Sequence, residues 1–224
     1  MAERGGQVTT PAGEVDVVWD GPARAPAALV LGPGAGAGLD SDFMAAMAAG
    51  LAGRGLAVCR FNFPYLQKGR RSPDRPEVLE ATFGAVAAAA RSRASATPLV
   101  LGGKSMGGRI ASQVVAGGEG AAGLAFLGYP LHPPGKPERL RDAHLKQIDV
   151  PMLFVEGTRD PFCPLPTLER VLAGVAAPAR VSVIEGGDHS FKVRSSSGRS
   201  TRQAWGEVIE AVDDWVQETI VADR

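Results

Sequence analysis

The sequence predicts an α/β fold: a mostly parallel β-sheet with helices on both faces and an antiparallel edge at its N-terminal side. Three observations carry this expectation. Short apolar, β-branched runs bounded by Gly or Pro recur along the chain. Several of them are continuous rather than alternating, as strands buried on both faces must be. Amphipathic helical stripes lie between them, and strand–helix alternation of this kind builds a parallel sheet covered on both sides.

The chain opens on two runs, 7–10 and 14–19, separated by Pro11-Ala12-Gly13, which predicts an antiparallel hairpin at a sheet edge. Further strands are expected at 27–31, 56–61, 99–101, 123–127, 152–155 and 181–184. Phe43, Met44, Met47, Ala48 and Leu51 trace one helical stripe, with Asp40 or Ser41 placed to cap it. Ile110 and Val114 follow Met106 at four-residue steps and mark a second helix. Trp205, Val208, Ile209, Val212, Trp215, Val216 and Ile220 form the apolar face of a C-terminal helix, which must dock on the sheet. A short helix is expected over 137–147, and the polar stretches 67–76 and 192–201 read as surface loops. With no repeat and no linker, residues 1–224 are expected to form one domain.

Composition narrows the function classes. Lys plus Arg and Asp plus Glu balance at 24 each, so no global field collects nucleic acid or an anionic membrane. The opening MAERGGQVTT lacks the apolar run of a signal peptide, and no segment approaches the roughly 20 apolar residues of a membrane span. A cytoplasmic protein is expected. The two cysteines, Cys59 and Cys163, make neither a disulfide framework nor a zinc site and are expected to be reduced and buried. The three histidines stand too far apart for zinc-ligand spacing, so no metal or cofactor is implied.

Chemistry concentrates in LVLGGKSMGGRI, residues 99–110, which can be parsed in two ways. A phosphate-binding P-loop needs a glycine five residues before Gly103, where the chain has Pro98. Two turn glycines after a strand cannot encircle a phosphate. A nucleophile elbow instead needs a strand, a sharp turn with serine at its apex, and a helix, with small residues two before and two after the serine. Gly103 and Gly107 meet that need around Ser105, and Gly108 adds slack. Ser105 would then sit at a helix N-terminus, where free N–H groups favour developing negative charge; Met106 is the residue whose N–H follows the nucleophile. The elbow calls for an acid and then a histidine, each past a later strand. Asp160 follows the strand ending near Glu156, and His189 follows a strand in VSVIEGGDHSF. His132 lies in the loop HPPGKPE and His144 in the short helix, among charged neighbours.

These pieces resemble the α/β-hydrolase superfamily, and within it the small lidless branch related to dienelactone hydrolases. The resemblance is closer still to the predicted-hydrolase family that includes the hydrolase-like domain of a non-specific lethal chromatin-complex subunit. The resemblance spans GPGAGAGLDSDFM (32–44), RFNFPY (60–65), GGKSMGGR (102–109), YPLHPPGKPERLRDAHL (129–145), GTRDPF (157–162) and GGDHSF (186–191). It implies a three-layer α/β-hydrolase sandwich with Ser105 as nucleophile, Asp160 as acid and His189 as base. It also implies Ala35 as the second oxyanion donor beside Met106, with Gly34 and Gly36 in contention; Pro33 has no N–H to give. Dienelactone hydrolases proper carry cysteine as nucleophile, and serine at 105 argues against that particular activity.

The remaining charged residues are expected to be structural. Lys104 and Arg109 should pair with nearby acids. Asp188 should point away from the site, and Cys163 should be a packed thiol. Lys68, Arg70, Arg71 and Arg75 form a basic loop that reads as solvated, or as an attractor for an anionic substrate group. The interval 128–151 has room for a loop and a short helix but not a lid, so the site should be open. The expected function is a serine hydrolase cleaving ester, thioester or lactone bonds of small acyl substrates. The other reading is a non-catalytic binding or scaffold protein on the same fold. The sequence carries no signal of oligomeric state.

Overall fold

The structure, a computed structural model, describes residues 4–94 and 96–222. The strands are β1 (Arg4–Thr10), β2 (Gly13–Asp20), β3 (Ala28–Gly32), β4 (Ala57–Phe61), β5 (Leu99–Lys104), β6 (Gly123–Leu127), β7 (Met152–Gly157) and β8 (Ala179–Ile184). They form one sheet in the order β1-β2-β4-β3-β5-β6-β7-β8. β1 pairs antiparallel with β2, and β2 antiparallel with β4; every pairing from β4 to β8 is parallel. This is the mostly parallel sheet with an antiparallel N-terminal edge that the sequence predicts.

The helices are α1 (Asp42–Gly53), α2 (Pro64–Gln67), α3 (Pro76–Arg93), α4 (Met106–Ala116), α5 (Leu165–Leu172) and α6 (Thr201–Trp215). Side chains alternate faces along a strand, and the central strands feed two separate cores. Ala28, Val30, Leu124, Phe126, Met152 and Phe154 pack toward α3, α4 and α5. Leu29, Leu31, Ala125, Leu127, Leu153 and Val155 pack toward α1 and α6. Parallel strands buried on both faces thus explain the continuous apolar runs.

Four local features differ from the sequence reading. The long α3 carries no clear stripe because Ala85 and Ala87–Ala90 are apolar on every side, although Leu79, Thr82, Phe83, Val86, Ala87 and Ala90 are the buried ones. β5 does not stop at Leu101: Gly102, Gly103 and Lys104 continue its ladder opposite Ala125, Phe126 and Leu127. Glycine is needed there, since a Cβ at Gly102 would lie 2.0 Å from Ala125 O. The helix expected over 137–147 is only a 3-10 turn, Ala143–Gln147. Arg141 N–H donates to Leu131 O at 2.7 Å, folding the preceding segment back as a loop instead of into helical turns. Finally, α6 ends at Trp215 and a π-helical segment, Val216–Val221, completes the C-terminal apolar face, with Val216 and Ile220 still buried.

Ser41 takes the N-cap of α1 without a side-chain bond, whereas α6 begins with a full capping box between Ser200 and Gln203. No helix among the described residues is long and apolar enough to cross a membrane.

Candidate active site

Ser105 stands between β5 and α4 with φ 49° and ψ −111°. A non-glycine residue in this region carries about 1–3 kcal/mol of strain, and it persists only where its surroundings over-determine it. They do so here. Ser105 N–H donates to Leu127 O at 3.1 Å, and Ser105 O accepts Arg109 N–H at 3.0 Å, the first bond of α4. A Cβ at Gly103 would meet Gly32 O at 2.1 Å, and one at Gly107 would meet the same oxygen at 2.0 Å. The two glycines therefore admit the end of β3, the strand that leads into the loop facing the serine. The strand–helix approach itself is made by Gly108, whose Cβ would lie 2.8 Å from Gly103 O.

The structure brings Ser105, His189 and Asp160 into one chain of hydrogen bonds. His189 Nε2 lies 2.8 Å from Ser105 Oγ, and Nδ1 lies 2.6 Å from Asp160 Oδ2. The carboxylate oxygen can only accept, so the proton of a neutral imidazole belongs on Nδ1 and Nε2 faces the serine hydroxyl as acceptor. The Asp160 side chain is fully buried, and its other oxygen accepts Phe162 N–H at 2.8 Å. The ring of Phe162 stands edge-on to the imidazole at 4.7 Å. Asp160 is held by its N–H bond to Gly157 O, just past β7.

The histidine loop is fixed from two sides. Gly157 has no room for a Cβ, which would fall 2.2 Å from Gly187 O, and Arg159 N–H donates to that same oxygen at 2.9 Å. Asp188 binds its own loop, its Oδ1 accepting from Ser190 and Lys192 N–H, and so turns away from the site as expected. Phe191, at φ 57° and fully buried, stacks on Phe43 of α1 at 5.7 Å. Trp205 of α6 meets Phe43 edge-on and donates its indole N–H to Ser190 O at 3.2 Å.

Ser105 and His189 open into a cleft of about 520 Å³. Met106, Gly34 and Ala35 line it beside the serine. Gly36 N–H is donated to Tyr65 Oη at 3.0 Å, which takes it out of contention for a developing oxyanion and leaves Gly34 and Ala35. Residues 128–151 add loop and the single 3-10 turn, with no lid over the opening.

Two expectations about charged residues are corrected. Among the described residues Lys104 makes no ion pair and no hydrogen bond; its Nζ is buried, 5.6 Å from the centre of the Phe191 ring. The nearby carboxylates have other partners: Asp160 binds His189 and Phe162, Asp188 its own loop, and Glu156 accepts Tyr129 N–H through one oxygen at 2.6 Å, its other oxygen being buried without a hydrogen-bond partner. Burial lowers the Lys104 pKa to about 8 against the pull of Asp160, Glu156 and Asp188. Burial likewise pushes Glu156 well above the carboxylate range and raises the packed Cys163 thiol. Arg109 also lacks an acid, its Nη1 donating to the neutral Gln113 at 2.7 Å. The basic loop is solvated, the first of its two readings: Lys68, Arg70, Arg71 and Arg75 are exposed, while Pro73, Asp74 and Pro76 line the cleft.

The buried Lys104 gives a pH signature. Unfolding restores the ordinary lysine pKa of 10.5, so between about pH 8 and 10 the unfolded chain holds a proton that the folded protein has released. Stability at this site therefore rises with pH across that window. Urea unfolding of wild type and Lys104→Met at pH 7 and pH 10 should show the wild type gaining relative to the variant. A pH-independent difference would mean that Lys104 titrates as an exposed lysine.

The sequence reading passed over two cleft residues, His132 and Arg141, both in the loop after β6. Their position at the carboxyl end of a central strand was the available signal. His144 lies elsewhere: its Nε2 contacts Ser112 Oγ at 2.8 Å and Tyr129 Oη at 3.2 Å. Ser112 is fully buried and donates to Arg109 O at 2.7 Å, so this second serine–histidine contact is enclosed and ties the 143–147 turn to α4.

The family model described as an alpha/beta hydrolase domain matches residues 25–217. The chain belongs to the α/β-hydrolase family. Solved α/β-hydrolase structures share its fold at low identity. A serine hydrolase without lid from Xanthomonas campestris superposes with TM-score 0.74 at 20% identity, over 96% of this chain and 95% of that one. A dienelactone hydrolase from Anabaena variabilis gives 0.77 at 17% identity, over 98% of both. A serine hydrolase homologue from Coxiella burnetii gives 0.73 at 20%, over 100% and 98%. This hydrolase shares the lidless form of the fold.

Proposed function

We propose that this α/β-hydrolase cleaves carboxylic ester bonds, or their thioester and lactone equivalents, through Ser105, His189 and Asp160. The observation that carries the reading is the strained Ser105, hydrogen-bonded to an imidazole oriented by a buried carboxylate and open to a cleft. As Ser105 Oγ attacks the carbonyl carbon, its proton passes to His189 Nε2, and Asp160 stabilises the imidazolium. The tetrahedral oxyanion accepts from Met106 N–H and from Ala35 or Gly34 N–H. Collapse breaks the bond to the leaving oxygen or sulfur, which takes the proton from Nε2 and leaves an acyl-serine. Water, deprotonated by the same nitrogen, attacks that ester, and Ser105 regains the proton. No metal or cofactor enters these steps.

The same reading takes the whole chain as one catalytic domain acting in the cytoplasm on small acyl substrates, with no nucleic-acid or membrane partner. Labelling with a fluorophosphonate probe tests it, since the probe phosphonylates only an activated serine. Wild type should label and Ser105→Ala should not. A folded wild type that fails to label would leave the scaffold role instead.

A further inference from the structure

Among the described residues, two arginines that line the cleft have no acidic partner. Arg109 lies one helical turn from Ser105, about 6 Å along α4, and its side chain lines the cleft. Its Nε is buried without a hydrogen-bond partner, and Gln113 is the one side chain it binds. Arg141 lines the same cleft from the loop after β6. Its backbone is fastened at both ends: the N–H donates to Leu131 O at 2.7 Å, and the carbonyl accepts from Tyr129 Oη at 3.1 Å. Among the described residues neither arginine makes an ion pair, and Glu80 acts on Arg109 only from a distance. Burial and the charge of Arg141 both lower the Arg109 pKa. Asp74, which also lines the cleft, is bound by Arg70 through Oδ1, while its Oδ2 is buried without a hydrogen-bond partner. His132 adds a further unfilled atom, for its Nδ1 donates to Pro133 O while its buried Nε2 has no partner.

Two partly desolvated like charges held in one cleft destabilise the empty protein, and an anion between them removes that cost. The planar guanidinium fork matches a carboxylate or phosphoryl group. The rest of the cleft supplies apolar wall, with Leu79, Met106, Pro130, Pro134 and Phe162 able to cover a short carbon chain. We infer that the cleft selects acyl substrates bearing a carboxylate or phosphoryl group beyond the reacting carbonyl, and that Arg109 and Arg141 hold that group. This rests on the proposed ester hydrolysis at Ser105 for the word substrate. The anion site itself is a matter of binding.

Three p-nitrophenyl esters of matched length separate the alternatives: the hexanoate, the adipate half-ester, and the corresponding phosphonate with the phosphorus at the chain end. Wild type should prefer an anionic ester over the hexanoate in kcat/KM by about ten- to hundredfold, as expected for hydrogen bonds to a charged group. Comparing the carboxylate and phosphonate preferences identifies which anion fits. The preference should shrink with added salt in wild type and fall toward unity in Arg109→Gln and Arg141→Gln. Calorimetric binding of the half-ester to Ser105→Ala, and its loss in the Ser105→Ala/Arg109→Gln double variant, reads the anion site without turnover. A wild type that turns over the hexanoate as well as either anionic ester, or a preference unchanged in both arginine variants, overturns the inference while leaving the hydrolase reading intact. Failure of fluorophosphonate labelling with retained, Arg109-dependent binding overturns the hydrolase reading and keeps the anion site. Absence of binding to Ser105→Ala overturns the anion site.

Discussion

Replacing Asp160 by Asn is expected to lower kcat on p-nitrophenyl hexanoate by about ten-thousandfold while leaving the fold in place. The two carboxylate oxygens have different partners, and that difference fixes how asparagine must sit. Oδ1 accepts Phe162 N–H, and the amide oxygen of Asn can take over that bond. The amide nitrogen then faces His189 Nδ1, where Oδ2 now stands at 2.6 Å. A donor at that place requires Nδ1 to be an acceptor, which moves the imidazole proton to Nε2. Nε2–H then points at Ser105 Oγ and cannot receive its proton. The geometry survives but the tautomer is wrong. Steady-state kinetics with a circular dichroism control checks this; a loss under about tenfold would show that some other group orients the base.

Replacing Gly107 by Ala is expected to destabilise the protein by at least about 3 kcal/mol, through overpacking against backbone. The added methyl would lie 2.0 Å from Gly32 O, 2.3 Å from Gly32 C and 2.8 Å from Pro33 O. No side chain can swing aside, so either β3 or the head of α4 must move. Both carry the site, and activity should fall with stability. Gly206→Ala is the control, because this glycine lies inside α6 and nothing stands within 4 Å of an added Cβ. There the same change should stabilise by about 0.5–1 kcal/mol, since alanine gives up less conformational freedom in a helix. Thermal melts of the two variants should move in opposite directions by several degrees. A Gly107→Ala protein that melts with the wild type would show that the elbow has more room than these distances allow.

Much of this architecture was legible because its signals are local. Continuous apolar runs report strands with two buried faces, and 152–155 and 123–127 fall inside β7 and β6. The positions of Ser105, Asp160 and His189 were readable from their order behind β5, β7 and β8, since parallel topology gathers the carboxyl ends of strands at one edge. α3 was hidden because alanine is equally at home on either face of a helix. Lys104 and Arg109 were misread because a sequence shows that acids exist nearby in the chain but not which side chain each basic group meets in the fold, Phe191 for Lys104 and Gln113 for Arg109. The cleft walls at His132 and Arg141 come from a loop bent back by a backbone bond from Arg141 to Leu131, and only their place after a central strand hinted at it.

The stack of Phe191 on Phe43, with Trp205 against it, also decides which half of the molecule holds His189. Ser105 and Asp160 are set by strand ends and the turns that follow them, whereas the loop bearing His189 leans on α1 and α6, on the face of the sheet away from α4. The imidazole is thus a passenger of the opposite helical layer. Its alignment with the serine registers how that layer sits on the sheet, so drift in the packing of two helices that contribute nothing to the cleft walls is felt first as a displaced imidazole.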